Sequence, residues 1–142
     1  MPDQQRRPRI FVVDDEAVIA ETLAVILRQN GLEARAFTDP LEALHVARSI
    51  APDLIISDVI MPELSGTELA IQVQNLWPDC KVLLFSGRAS SADLLIDALA
   101  RGYDFELLLK PVHPTDLLRS VERAFDAIDG PYTFRRGKIS NP

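Results

Sequence analysis

The sequence predicts an α/β fold: a five-stranded parallel sheet with helices on both faces. Three observations carry that expectation. Short apolar runs alternate with stretches of helical periodicity along the chain. Most of these runs lack polar alternation, the pattern of strands buried on both faces. Polar residues follow the runs directly: Asp14 and Asp15, Asp58, Ser86 and Lys110. In open parallel sheets the carboxyl ends of the strands are where ligands bind.

Taken in order, Ile10-Phe11-Val12-Val13 is the first strand. Asp14 or Asp15 can cap the helix after it, and Glu16 suits its first turn. Ile19, Leu23, Ile26 and Leu27 form one stripe of that helix, and Asn30-Gly31 stops it. Residues 33–37 alternate polar and apolar, fitting an edge strand. Asp39-Pro40 opens a second helix reaching about Ser49, Asp serving as N-cap and Pro as first residue. Pro52 precedes the strand Leu54-Ile55-Ile56-Ser57. A loop from Val59 to Gly66 leads to a helix that begins near Thr67 and ends at Trp77-Pro78. Residues 81–85 form the fourth strand, broken by Ser86-Gly87. Ser90 or Ser91 caps a helix running to Arg101-Gly102. Residues 105–109 are the last strand. His113-Pro114-Thr115 opens the final helix, with Leu117, Val121, Ala124, Phe125 and Ile128 facing inward until Gly130-Pro131.

A chain of 142 residues suffices for one domain with one core. The expected division is an N-terminal arm 1–8 carrying Arg6 and Arg7, a domain 9–129, and a flexible tail 130–142 with Arg135, Arg136 and Lys138. A net charge of −6 argues against binding nucleic acid or an anionic membrane. The one cysteine, Cys80, cannot form an intrachain disulfide, which fits a reducing cytoplasm. No apolar stretch is long enough to span a bilayer, and no apolar signal region follows the polar N-terminus. A cytoplasmic location is expected.

If the runs are neighbouring strands, three carboxylates, a hydroxyl and an ammonium meet in one crevice. Crowded, desolvated carboxylates repel unless a hard divalent cation such as Mg²⁺ sits among them. A serine and a lysine beside a metal-bound carboxylate suit a phosphoryl group. Read this way, the crevice takes a phosphoryl group onto an aspartate.

Val12-Val13-Asp14-Asp15-Glu16, then the stretch from Ser57-Asp58-Val59-Ile60-Met61-Pro62 to Gly66, then Phe85-Ser86-Gly87 and Lys110-Pro111, together resemble the receiver domains of two-component response regulators. The resemblance covers about residues 9–128. It implies the flavodoxin-like strand order 2-1-3-4-5. It also implies that Asp58 is the phosphoacceptor. Mg²⁺ would be held by Asp15, Asp58 and the backbone carbonyl of Ile60, with Asp14 acting through a water. Ser86 and Lys110 would bond the phosphoryl oxygens, and the Lys110–Pro111 bond would be cis. Ile60 and Arg88 would flank the path of hydrolytic water, implying a long-lived phosphoryl group. The family usually carries an aromatic residue where this chain has Leu107, so switching would rely less on a ring at the last strand. The implied partners are a histidine kinase or phosphotransfer protein as donor and an output protein as signal target, with the chain a monomer or weak dimer. Such a domain is a phosphoacceptor that assists its own phosphorylation and dephosphorylation.

Two other functions fit parts of the pattern. A receiver-like module binding proteins without phosphorylation is consistent with Leu107. A phosphatase with an aspartyl-phosphate intermediate needs an Asp two residues after its nucleophile, and Glu16 stands there. No helix-turn-helix region is expected after residue 128, which disfavours direct DNA binding. His45 and His113 have no partners at metal-ligand spacing and read as surface or helix-end residues. Trp77 reads as packing, and Cys80 as an unreactive thiol.

Overall fold

The computed structural model describes residues 7–87 and 91–126. Arg6, Arg88, Ser90, Ile128, Gly130-Pro131 and the tail 130–142 lie outside the described residues.

Ten elements alternate: β1 (Arg9–Val13), α1 (Ala17–Gln29), β2 (Glu33–Phe37), α2 (Pro40–Ala47), β3 (Leu54–Asp58), α3 (Gly66–Leu76), β4 (Lys81–Ser86), α4 (Ser91–Ala100), β5 (Glu106–Leu109) and α5 (Pro114–Asp126). The sheet is parallel in the order β2-β1-β3-β4-β5, as expected. β1, β3 and β4 are central, and their apolar runs are the most continuous. β2, with Glu33 and Arg35 turned to solvent, is an edge.

Alternation along the strands splits the core into two layers. Ile10, Val12, Ile56, Leu83 and Phe85 pack with Leu23 and Leu27 of α1 and Leu117, Val121 and Phe125 of α5. On the other face Phe11, Val13 and Ile55 pack with Ala43, Leu44 and Ala47 of α2 and Leu69 and Val73 of α3. α4 is only lightly buried, through Ser91 and Ala98.

Two caps differ from expectation. Neither Asp14 nor Asp15 is the N-cap of α1. That position is Glu16, whose side chain makes no cap bond. The chain must continue past β1 to lay Asp14 in the crevice before it turns. α3 starts one residue earlier than expected, with Ser65 as N-cap accepting the N–H of Glu68. The run Ser65-Gly66-Thr67-Glu68 has the spacing of a capping box, a legible signal that was overlooked. Asp39 caps α2 as expected, accepting from Leu41 N–H at 2.9 Å.

Trp77 ends α3 and packs against the α2–α3 layer, and its Nε1 donates to the Ala47 carbonyl at 2.6 Å. Trp77→Phe keeps a ring but takes that donor away from the carbonyl of Ala47, a fully buried residue. The expected cost is about 2 kcal/mol. It should appear as a lower urea midpoint with an unchanged m-value. An unchanged midpoint would show that water replaces the indole at no cost.

Candidate functional site

The sheet order brings the ends of β1 and β3 together. Val13 pairs with Ser57, so Asp14 and Asp58 stand side by side one step further on. The Asp14 N–H donates to the Phe37 carbonyl at 3.1 Å, fixing the backbone beyond the strand. The Asp14 side chain is buried. Its Oδ1 accepts the Glu16 N–H at 2.8 Å, and its Oδ2 accepts from Lys110 Nζ at 3.1 Å. Lys110 Nζ is 3.4 Å from Asp58 Oδ2 and 3.8 Å from Glu16 Oε1. Asp15 is exposed at the rim. Carboxylate oxygens of Asp14, Asp15 and Asp58 lie within 4.8 Å of one another.

Lys110 follows β5, and its N–H donates to the Ser86 carbonyl at 3.0 Å, which ties the two residues together. Ser86 is the buried last residue of β4. The Lys110–Pro111 bond is cis. Ile60, partly buried, lies in the loop after β3. The crevice measures about 220 Å³ and is lined by Asp15, Glu16, Asp58, Gly87 and Lys110.

Burial raises the carboxyl groups of Asp14 and Asp58 above the usual range, and Lys110 only partly offsets it. For Lys110, burial is the largest single effect and would lower its pKa. The hydrogen bond and charge of Asp14, together with Asp58, outweigh it and raise the ammonium. Among the described residues, one ammonium thus stands with the three carboxylates of Asp14, Asp15 and Asp58, two of them buried. This set of hard oxygen donors, short of positive charge, fits a divalent cation.

Gly66 also shapes the site, and sequence reasoning placed it only in a loop. A β-carbon there would overlap the Asp58 carbonyl oxygen and come within 2.9 Å of Ser57 Oγ. The Gly66 N–H donates to the Val59 carbonyl at 2.7 Å. The start of α3 is thereby seated directly on the backbone that presents Asp58. A glycine next to a helix N-cap was the available signal.

Leu107 is partly buried in β5. Tyr103 and Phe105 stack at 5.7 Å where β5 begins, at the end of the sheet opposite the crevice, and the Tyr103 hydroxyl donates to Asn75 at 3.3 Å. Neither ring takes the place of an aromatic at 107. His45 is exposed on α2, and His113 Nδ1 accepts the Thr115 N–H at the start of α5. Cys80 is buried, and burial pushes its thiol up to about 12, well out of the reactive range.

The fold and this crevice define a receiver. The chain belongs to the response regulator receiver domain family, whose model matches residues 10–122. It is 35% identical over 116 residues to the transcriptional regulatory protein CreB of Escherichia coli K12, covering 82% of this chain and 50% of CreB. The DNA-binding response regulator MtrA of Mycobacterium tuberculosis H37Rv is 30% identical over 115 residues, covering 81% of this chain and 49% of MtrA. The chain spans about half the length of these curated relatives. A response regulator receiver domain from Clostridium thermocellum superposes with a TM-score of 0.75 at 29% identity, over 84% of this chain and 95% of that one. No helix among the described residues is long and apolar enough to cross a membrane.

Proposed function

We propose that Asp58 accepts a phosphoryl group from a partner histidine kinase or phosphotransfer protein, and that the phosphorylated chain signals by binding an output protein. The observation that carries this reading is the Lys110 ammonium, held between Asp14 and Asp58 on a residue whose backbone N–H is tied to the Ser86 carbonyl. An Asp58 oxygen attacks phosphorus in line, the P–N bond of the donor phosphohistidine breaks, and its electron pair stays on the imidazole nitrogen. The imidazole leaves neutral if its other nitrogen carries a proton. Ionised Asp58 has no proton to lose, so no general base is required. Lys110 moves from the carboxylates to the phosphoryl oxygens, and the Ser86 hydroxyl donates to another of them.

Mg²⁺, when bound, neutralises charge developing on the transferring group. Asp15, Asp58 and the Ile60 carbonyl would hold it directly, and Asp14 through water. The output surface in this reading is formed by α4, β5 and α5. Ile96, Leu99 and Leu109 are large apolar residues exposed there, and Leu109 is 73% exposed. A partner that covered them would gain apolar burial.

The test is intact-mass analysis after incubation with a small phosphodonor, with and without Mg²⁺. Wild type should gain one base-labile phosphoryl group in Mg²⁺, and Asp58→Asn none. Equal labelling of Asp58→Asn would overturn the assignment. An unlabelled wild type would leave the module that binds proteins without phosphorylation.

A further inference from the structure

Lys110 must cross a strand to do what has been described. It follows β5, β3 ends on Asp58, and β4 lies between them. Two strand spacings amount to about 9–10 Å. The residues of β4 on the path are therefore part of the lysine's environment. Asp58 pairs with Phe85, and Phe85 pairs with Leu108, so the three form one row across the sheet. Lys110 is two residues beyond Leu108 and emerges on the same face by strand alternation. Phe85 lies directly beneath its route.

The contacts agree with the register. Lys110 Nζ sits 5.1 Å from the centroid of the Phe85 ring. A β-carbon on Gly87 would lie 3.4 Å from Lys110 Cβ and 3.7 Å from Cδ, so the lysine stem passes close over a backbone that carries no side chain. The ring itself is 1% exposed and is held from below by the α1–α5 core layer. Beside it opens an apolar groove of about 410 Å³, lined among others by Val18, Leu23, Phe85, Lys110 and Val112. Without a surface to rest on, the lysine chain has that groove available to it.

We infer that Phe85 is a positioning residue for Lys110: its ring face carries the ammonium across β4 and keeps it in the carboxylate crevice. A phenyl face attracts a cation through its quadrupole, more strongly where water is partly excluded. The carboxylates pull the ammonium forward, and the ring supports it from beneath. An aliphatic residue in the same place would fill the core but leave the ammonium only its carboxylate partners. The role in phosphorylation rests on the function proposed above, whereas the contact itself does not.

The test uses the full chain and two substitutions. Phe85→Leu keeps apolar bulk and loses the ring face. Phe85→Tyr keeps the face, and Phe85 is one of the residues that line the neighbouring groove. Circular dichroism and a proton–nitrogen spectrum establish that each variant is folded. The first readout is the NMR shift of the Lys110 side-chain methylenes nearest Nζ, assigned by comparison with Lys110→Arg. Ring current should move these signals upfield in wild type and Phe85→Tyr, and the displacement should vanish in Phe85→Leu. The second readout is the rate constant for phosphorylation by acetyl phosphate at limiting concentration in Mg²⁺. It should fall about 3- to 10-fold in Phe85→Leu and return to within about 2-fold of wild type in Phe85→Tyr. Unshifted methylenes in wild type, or a folded Phe85→Leu that reacts at the wild-type rate, would overturn the inference. If wild type shows the ring-current shift but takes no phosphoryl group, the contact stands and the proposed function fails. If Phe85→Tyr is folded and as slow as Phe85→Leu, the residue acts through packing and the inference also falls.

Discussion

Gly66→Ala should lower the stability of the metal-free protein by about 3 kcal/mol or more, a fall of about ten degrees in Tm. The added methyl group would overlap the Asp58 carbonyl oxygen, and that oxygen already accepts from Ser57 Oγ at 2.9 Å. Backbone cannot rotate out of the way as a side-chain end can. Either α3 lifts from the sheet or the β3 end shifts. A lift would break the Gly66–Val59 hydrogen bond and loosen Leu69 and Val73 in their layer. A shift of β3 would displace Asp58 itself, so phosphorylation should fall with stability. Gly87→Ala is the matched control. Among the described residues its β-carbon would meet Lys110 side-chain carbons, at 3.4 Å and beyond. It should cost less than about 1 kcal/mol. Equal thermal stability of Gly66→Ala and wild type would show that the α3 start is not seated on Asp58.

The strands were legible because burial on both faces writes itself as unbroken apolar runs, and their order followed from the resemblance to receiver domains. Ile10-Phe11-Val12-Val13 and Leu54-Ile55-Ile56 have no other economical use in a chain of this length. The crevice was legible for a related reason: polar residues at the ends of such runs are thrown together by a parallel sheet. Sequence did not reveal which partner each group prefers. Lys110 touches both Asp14 and Asp58, and its shorter contact is with Asp14, at 3.1 Å against 3.4 Å. That choice depends on how far a flexible chain reaches over Phe85, which strand pattern alone does not encode. Gly66 was missed because its requirement comes from the approach of α3 to β3, a tertiary fact. The α1 cap was misplaced because Asp14 satisfies the Glu16 N–H from outside the helix, an Asx-type bond that competes with capping.

Lys110→Met should slow phosphorylation in Mg²⁺ by about 100-fold, the usual effect of removing one donor aimed at developing negative charge. It should also cost about 2 kcal/mol of stability without metal at neutral pH, because two buried carboxylates lose the one close cation they have among the described residues. The partial exposure of the ammonium places this cost at the lower end. Its pH dependence follows from the direction of the shifts. Burial already raises Asp14 and Asp58 above the ordinary carboxylate range, and Lys110 opposes that rise. Without Lys110 both should rise further. A carboxyl raised in the native state binds its proton more tightly folded than unfolded, so stability declines as pH climbs from the unfolded value to the native one. The penalty is absent below the ordinary aspartate range, about pH 4, and complete above the raised native values. The deficit of Lys110→Met relative to wild type should therefore be largest at neutral pH and shrink on acidification. In wild type, the raised Lys110 contributes stability that is complete below its unfolded pKa, about 10.4, and is lost as pH rises through the native value. Mg²⁺ at ten times its Kd should add about 1.4 kcal/mol to either protein. If Lys110→Met matches wild type in rate and shows a deficit independent of pH, the ammonium is a bystander and the carboxylates are balanced by some other cation.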